Sequence, residues 1–327
     1  MGDPKYEPLP WEVFFTRKQE VAVGEDRFNV YLKGNSGPVF FLLHGAGYSG
    51  LTWCSFIEEM TADMQKEKYE CQFVAPDLRG HGESKTTDDY NLSMDQLVED
   101  VENIYNAIVE RPDDPGRKCF LIGHSMGGAL AVNVASRKAI KNMFAVTVID
   151  VVEETAKEAL SHMEEVLRRR PKSFASEHEA IRWAHEKRIC ADLRQARVSV
   201  PSQLHKIDGV LTWRIDLIQT KKFWKEWFDG MTKKFLECPA TKTLILANTD
   251  RLDTALTRAS MEGKYQQVIV PNSGHAVHED NFKKVAAVHL DMWKRYQMIA
   301  GKNSAIKAAL QRAAEEKAKK AAEGVAK

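Results

Sequence analysis

Residues 119–132 read Cys-Phe-Leu-Ile-Gly-His-Ser-Met-Gly-Gly-Ala-Leu-Ala-Val. The run from Cys119 to Ile122 has no polar position, as a strand buried on both faces requires. Gly123 and Gly127 flank Ser125, and small apolar residues then begin a helix. A strand, a sharp bend and a helix around G-x-S-x-G hold a serine in a strained turn, with its hydroxyl exposed above the edge of a sheet.

The same form recurs on both sides. Residues 39–43 (Val-Phe-Phe-Leu-Leu), 73–77 (Phe-Val-Ala-Pro-Asp) and 145–150 (Ala-Val-Thr-Val-Ile-Asp) are short apolar runs that end in a loop. Residues 20–23 and 28–32 predict a β-hairpin around Gly24-Glu25-Asp26. Leu97, Val101, Ile104, Tyr105 and Ile108 recur at helical spacing after Ser93, which predicts a helix over 93–110. Strands at 243–248 and 266–270, then a helix over about 280–298, resume the alternation. Strands alternating with helices predict an α/β fold with a mostly parallel central sheet and helices on both faces. Between Glu153 and Glu237 no strand is obvious and helix-prone stretches rich in Arg, Lys and Trp follow one another. The economical division is a core of residues 1–152 and 238–301, a helical cap insertion at 153–237, and a tail at 302–327. That tail holds seven basic and three acidic residues in an Ala-rich background and reads as a solvated or frayed helix.

Composition narrows the function. The chain has 327 residues, 47 Lys+Arg and 46 Asp+Glu, so a net charge of +1 supplies no field to gather nucleic acid or an anionic membrane. No run approaches the ~18–20 apolar residues of a membrane span, and Met-Gly-Asp-Pro-Lys-Tyr has no signal-peptide apolar region. The cysteines, five in number, are scattered and never form C-x-x-C, which fits reduced thiols and a cytoplasmic or nuclear location.

A serine hydroxyl is a poor nucleophile at neutral pH, so Ser125 needs a base and the base needs an orienting acid. In this architecture the histidine follows the last strand. Ser273-Gly274-His275-Ala276-Val277-His278 lies there, and His275, directly after Gly274, is the candidate base; His278 reads as a helix-start residue. Two places compete for the acid. Asp150 ends an apolar strand, where burial demands a hydrogen-bonded partner such as a histidine Nδ1–H. Asp250 and Asp253 lie in the polar loop after the strand that follows the cap. The physical argument leans modestly to Asp150. The oxyanion of a tetrahedral intermediate needs two backbone N–H donors, assigned to Met126 and to Ala46 within His44-Gly45-Ala46-Gly47. His81 has no second ligand at metal-binding spacing and reads as loop support. This chemistry needs neither a metal nor an organic cofactor. Trp213, Trp224 and Trp227 read as core filling before pocket walls.

Taken together, LLHGAG, APDLRGHGES, LIGHSMGGALAV, VIDVVEETA, RRRPKSF, ARVSVPSQ, TWRIDL, WKEWFDG, DRLD and GHAVHED resemble one family within the α/β-hydrolases, the protein phosphatase methylesterases. The resemblance runs from about residue 10 to about residue 293. It implies an α/β-hydrolase fold and removal of the methyl ester from the C-terminal leucine of the type 2A protein phosphatase catalytic subunit. It also implies a Ser, Asp and His set with the acid at Asp150. Some relatives carry a long acidic insertion in the cap, whereas here only a few residues separate Gln203 from Thr212. Two other readings share the fold: a small-molecule esterase or lipase, and a non-catalytic protein that binds a ligand or the phosphatase. A fold alone does not choose among them.

Overall fold

The computed structural model describes residues 3–109, 117–249 and 252–325. The chain divides into two units, Met1–Val285 and Ala286–Lys327.

The first unit is built on an eight-stranded sheet. In chain order its strands are β1 (Arg17–Val23), β2 (Asp26–Lys33), β3 (Val39–Leu43), β4 (Gln72–Pro76), β5 (Cys119–His124) and β6 (Met143–Ile149). After a three-stranded insertion of β7 (Ser173–Phe174), β8 (Leu204–Ile207) and β9 (Val210–Trp213), the sheet finishes with β10 (Thr241–Leu246) and β11 (Gln266–Ile269). The spatial order is β1-β2-β4-β3-β5-β6-β10-β11. Strands β4, β3, β5, β6, β10 and β11 pair in parallel, and the β1–β2 hairpin adds antiparallel against β4. Every residue of β3, β4 and β5 is buried, which is why those runs carry no alternation.

The chain leaves β3 for β4 on one side and returns to β5 on the other. This reversal opens a crevice beyond the carboxyl ends of β3 and β5. The His44 loop and Ser125 follow those two ends directly.

Helix Met94–Ile108 buries Leu97, Val98, Val101, Ile104, Tyr105 and Ile108, the face expected from the spacing. Helix Met126–Arg137, immediately after Ser125, is buried from Met126 to Ala135 because Gly, Ala and Val let it lie close to the sheet.

The inserted region is mainly helical, with helices Glu153–Arg169, Glu177–Glu186, Leu193–Ser199, Lys221–Phe228 and Met231–Glu237. The expectation of no strand within it is corrected, because β7, β9 and β8 form a small antiparallel sheet. The cause is local turn chemistry. Asp208 (φ 48°) and Gly209 (φ 87°) both lie at positive φ between Ile207 and Val210, the two-residue bend that matches strand twist. Trp224 and Trp227 are core residues, with their Nε1–H groups donated to Thr220 Oγ1 and the Leu92 carbonyl. Trp213 is half-buried and packs with Phe174 and Trp183.

The helix expected to end near residue 298 instead runs Phe282–Val325, through residues read as a solvated or frayed helix. Ala, Lys and Glu are strong helix formers, and the helix continues through Gly301, Asn303 and Ser304 into that stretch. Among the described residues no helix is long and apolar enough to cross a membrane.

Candidate active site

Ser125 occupies φ 52°, ψ −121°, a strained conformation for a residue with a side chain. Its own N–H donates to the Ile149 carbonyl at 3.0 Å, while its carbonyl accepts from Gly128 N at 2.8 Å and Ala129 N at 3.1 Å. The flanking glycines are required sterically. A Cβ on Gly123 would lie 2.0 Å from the Gly127 carbonyl oxygen, and one on Gly127 would lie 2.4 Å from that of Leu43. The bend thus exists because two backbones pass where no side chain fits.

Asp150, on the loop after β6, is also at positive φ (53°) and its side chain is fully buried. One oxygen accepts the Ala247 N–H at 3.0 Å and the other accepts His275 Nδ1–H at 2.8 Å. Its N–H donates to the Ile245 carbonyl at 2.8 Å, fastening it to the end of β10. With Nδ1 bound to the carboxylate, the neutral His275 ring keeps Nε2 as its acceptor. The His275 side chain is 48% exposed, which leaves that nitrogen open to the cavity.

One of the competing acids is otherwise placed. Asp253 caps helix Thr254–Met261 through Leu256 N at 2.7 Å and takes Thr232 Oγ1–H at 3.2 Å. Asp250 lies outside the described residues. His278 is buried, with Nε2 2.8 Å from Thr52 Oγ1 and its ring 4.5 Å from that of His124.

The loop His44-Gly45-Ala46-Gly47 packs directly on the bend, since a Cβ on Gly45 would meet Ser125 Cβ at 3.2 Å. Gly47 N donates to His81 Nε2 at 2.8 Å, and His81 Nδ1–H donates to the Arg79 carbonyl at 2.7 Å. His81 therefore holds the loop in its neutral form, and burial pushes its pKa down to about 4. Tyr48 N closes the loop onto the Gly45 carbonyl at 3.2 Å. Among the described residues the Ala46 N–H has no partner. Neither has the Met126 N–H, at the first position of its helix, where intrahelical acceptors are lacking.

Two supports have no signature in the sequence. His124 Nε2 donates to the His275 carbonyl at 2.9 Å, and desolvation holds that buried ring well below the ordinary histidine range. Gly274 N and Ala191 N each donate to Asp280, at 2.6 and 2.7 Å, which ties the His275 loop to the inserted region.

Ser125, Asp150 and His275 all line one cavity of about 380 Å³. Its remaining wall is mostly apolar: Val151, Val152, Phe228, and the Thr155, Ala156, Ala159, Leu160, Met163, Val166 face of helix Glu153–Arg169. Thr155 and His162 are the polar residues that this helix contributes to the wall. Among the described residues no three His, Cys, Asp or Glu side chains gather as a metal site would need.

Known proteins resemble this chain in sequence and in fold. Residues 40–288 match the model of the alpha/beta hydrolase family. The probable protein phosphatase methylesterase 1 of Caenorhabditis elegans is 45% identical over 280 residues, covering 85% of this chain and 75% of that protein. The human protein phosphatase methylesterase 1 is 37% identical, covering 86% and 83%. Among solved structures, E-2-(acetamidomethylene)succinate hydrolase superposes with a TM-score of 0.69 at 18% identity over 84% of this chain and 98% of that one, a likeness of fold. With the glycine-framed serine, the apolar cavity and these relatives together, the chain belongs to the protein phosphatase methylesterase 1 family of α/β-hydrolases.

Proposed function

We propose that the chain is a serine carboxylesterase that removes the methyl ester from the C-terminal leucine of the type 2A protein phosphatase catalytic subunit. The observation that carries the reading is the 2.8 Å hydrogen bond from His275 to buried Asp150 beside a strained Ser125, all on one apolar cavity.

His275 Nε2 takes the hydroxyl proton as Ser125 Oγ attacks the ester carbonyl. The negative charge on the carbonyl oxygen falls to the N–H groups of Ala46 and Met126, each such donor being worth about 3 kcal/mol of barrier in comparable sites. Asp150 keeps the ring in the tautomer with Nε2 free and offsets the charge of the imidazolium that forms. Collapse returns the proton to the leaving methoxide, and methanol departs. Water then attacks the acyl-enzyme with His275 again as base, releasing the leucine carboxylate.

The cavity volume of about 380 Å³ and its apolar wall suit one branched side chain and the ester group. The names of the relatives support a protein phosphatase as substrate. The five unpaired cysteines support a reducing compartment, cytoplasm or nucleus. A second reading, a small-molecule esterase, is favoured by one fact: a cavity of about 380 Å³ with a mostly apolar wall also suits a short acyl ester. Turnover of methylated phosphatase catalytic subunit against that of short acyl esters separates the two. A phosphatase ester hydrolysed far faster supports the proposal, and short esters preferred over it refute it.

A further inference from the structure

A second cavity, of about 620 Å³, lies at the carboxyl end of helix Glu153–Arg169, lined by Arg168, Arg170, Lys172, Trp213, Asp216 and Leu217 among others. Three consecutive arginines end that helix, and they behave differently. Arg168 pairs with Glu164 at 2.7 Å and Arg169 pairs with Glu165, each one turn back. Arg170 has left the helix, with extended backbone at φ −66°, ψ 147°, and its side chain turns into the cavity. Its guanidinium carbon stands 4.0 Å above the Trp213 ring. Trp213 is itself locked, donating Nε1–H to the Pro171 carbonyl at 2.7 Å.

Among the described residues this guanidinium has no ion pair and no hydrogen bond, and its Nε is fully buried. Helix-end arginines often answer the helix dipole, but Arg168 and Arg169 already stand there. Asp216, the acidic residue of the cavity wall, attracts Arg170 from beyond ion-pair distance while its own oxygens are held by Ile218 N and Gln219 Nε2, both at 3.1 Å. A stacked planar cation with five N–H donors and no acceptor is a preformed receptor for a carboxylate.

Its position relates it to the reaction. A Cβ on Gly47 would lie 3.9 Å from Arg170 Nη1 and 3.1 Å from Leu217 Cδ1, so the cavity adjoins the loop that presents Ala46. An extended peptide advances about 3.3–3.6 Å per residue. A substrate with its ester carbonyl at Ala46 and Met126 reaches Arg170 with a side chain one to three residues before the esterified one.

We propose that Arg170, stacked on Trp213, is a specificity-determining residue that binds a carboxylate side chain of the substrate peptide just upstream of the methyl-esterified leucine. This rests on the reading of Ser125 and its cavity as the ester-cleaving site.

The test uses the full chain and peptides ending in leucine methyl ester, with Asp or Asn placed one, two or three residues before it. Their kcat/KM values are compared, and the same peptides are titrated calorimetrically into the Ser125→Ala variant. At one position the wild type is expected to favour Asp over Asn roughly tenfold or more. Arg170→Gln is expected to bring that ratio near one, Arg170→Lys to keep part of it, and Arg169→Gln to leave it intact. Because each variant is judged on a ratio, a general loss of activity does not imitate the result. Hydrolysis with no Asp preference at any position, or a preference that survives Arg170→Gln, overturns the proposal and leaves the esterase reading standing. No hydrolysis of any peptide, with Asp-selective binding that Arg170→Gln removes, overturns the esterase reading and leaves the anion site standing.

Discussion

Asp150 accepts the Nδ1–H of His275 at 2.8 Å although 125 residues separate them, and its other oxygen is held by Ala247 N–H at 3.0 Å. A carboxylate fixed by two donors on two different loops orients the imidazole and leaves Nε2 facing the cavity. Asp150→Asn puts an amide in that place, and its NH₂ group invites the ring to present Nδ1 as acceptor. The expected kcat for methyl ester hydrolysis falls roughly 10³- to 10⁴-fold. Asp253→Asn touches a helix cap and the Thr232 hydroxyl, away from the Ser125 cavity, so kcat is expected to hold while stability changes by about 1 kcal/mol or less. Steady-state rates and urea unfolding of both variants check this.

Gly127 admits no side chain, because a Cβ there would sit 2.4 Å from the Leu43 carbonyl oxygen. Gly127→Ala is expected to cost about 3 kcal/mol or more, as overpacking against backbone does. Gly209→Ala, at φ 87° with nothing within 4 Å, has only backbone strain to bear and is expected to cost about 1 kcal/mol. Equal midpoints in urea for the two variants would remove the steric account of the bend.

Arg79 makes a two-pronged pair with Asp100, through Nε and Nη2 at 2.8 Å each, and Nη2 also meets Asp26 at 2.5 Å. The Arg79 and Asp100 side chains are 3% and 1% exposed. Arg79→Met leaves the buried Asp100 charge with the Gln96 Nε2–H bond at 3.0 Å but without its cation, and the expected loss is about 3–5 kcal/mol. Asp100→Asn in the Arg79→Met background is expected to recover part of it, measured by urea unfolding.

The buried His81 ring gives a pH dependence of definite sign. Its folded pKa of about 4 lies below the ordinary 6.5, so the unfolded chain binds the proton more readily. The stability it supports is full above about pH 6.5 and is lost as the pH falls toward 4, amounting to about 3 kcal/mol. Protonation also removes the acceptor for Gly47 N–H and so loosens the loop that carries Ala46. His81→Gln keeps an acceptor that does not titrate. Unfolding free energies at pH 7 and pH 4 are expected to fall by about 3 kcal/mol more in the wild type than in this variant.

Much of this architecture is written in local pattern. Unbroken apolar runs mark β3, β4 and β5 because both faces of those strands are covered, and Gly123 and Gly127 mark the bend because no other residue fits there. The burial of Asp150 at the end of β6 is legible too, but its bond to His275 joins loops far apart in the chain, so the residues alone left Asp250 and Asp253 in competition. The small sheet of β7, β8 and β9 was signalled only by Asp208-Gly209, a two-residue cue amid helix-prone sequence. The tie from His124 to the His275 carbonyl, and the stacking of Arg170 on Trp213 with no ion pair beside two paired arginines, depend on what lies across space and have no local trace.

The account's central claim is that Ser125 is an activated nucleophile served by His275. Labelling with a fluorophosphonate, followed by mass mapping of the modified peptide, tests it most directly. The wild type is predicted to carry one adduct on Ser125, with none in Ser125→Ala and a rate at least about 10³-fold lower in His275→Ala. An adduct on another residue, or equal labelling rates in the wild type and His275→Ala, would contradict the account.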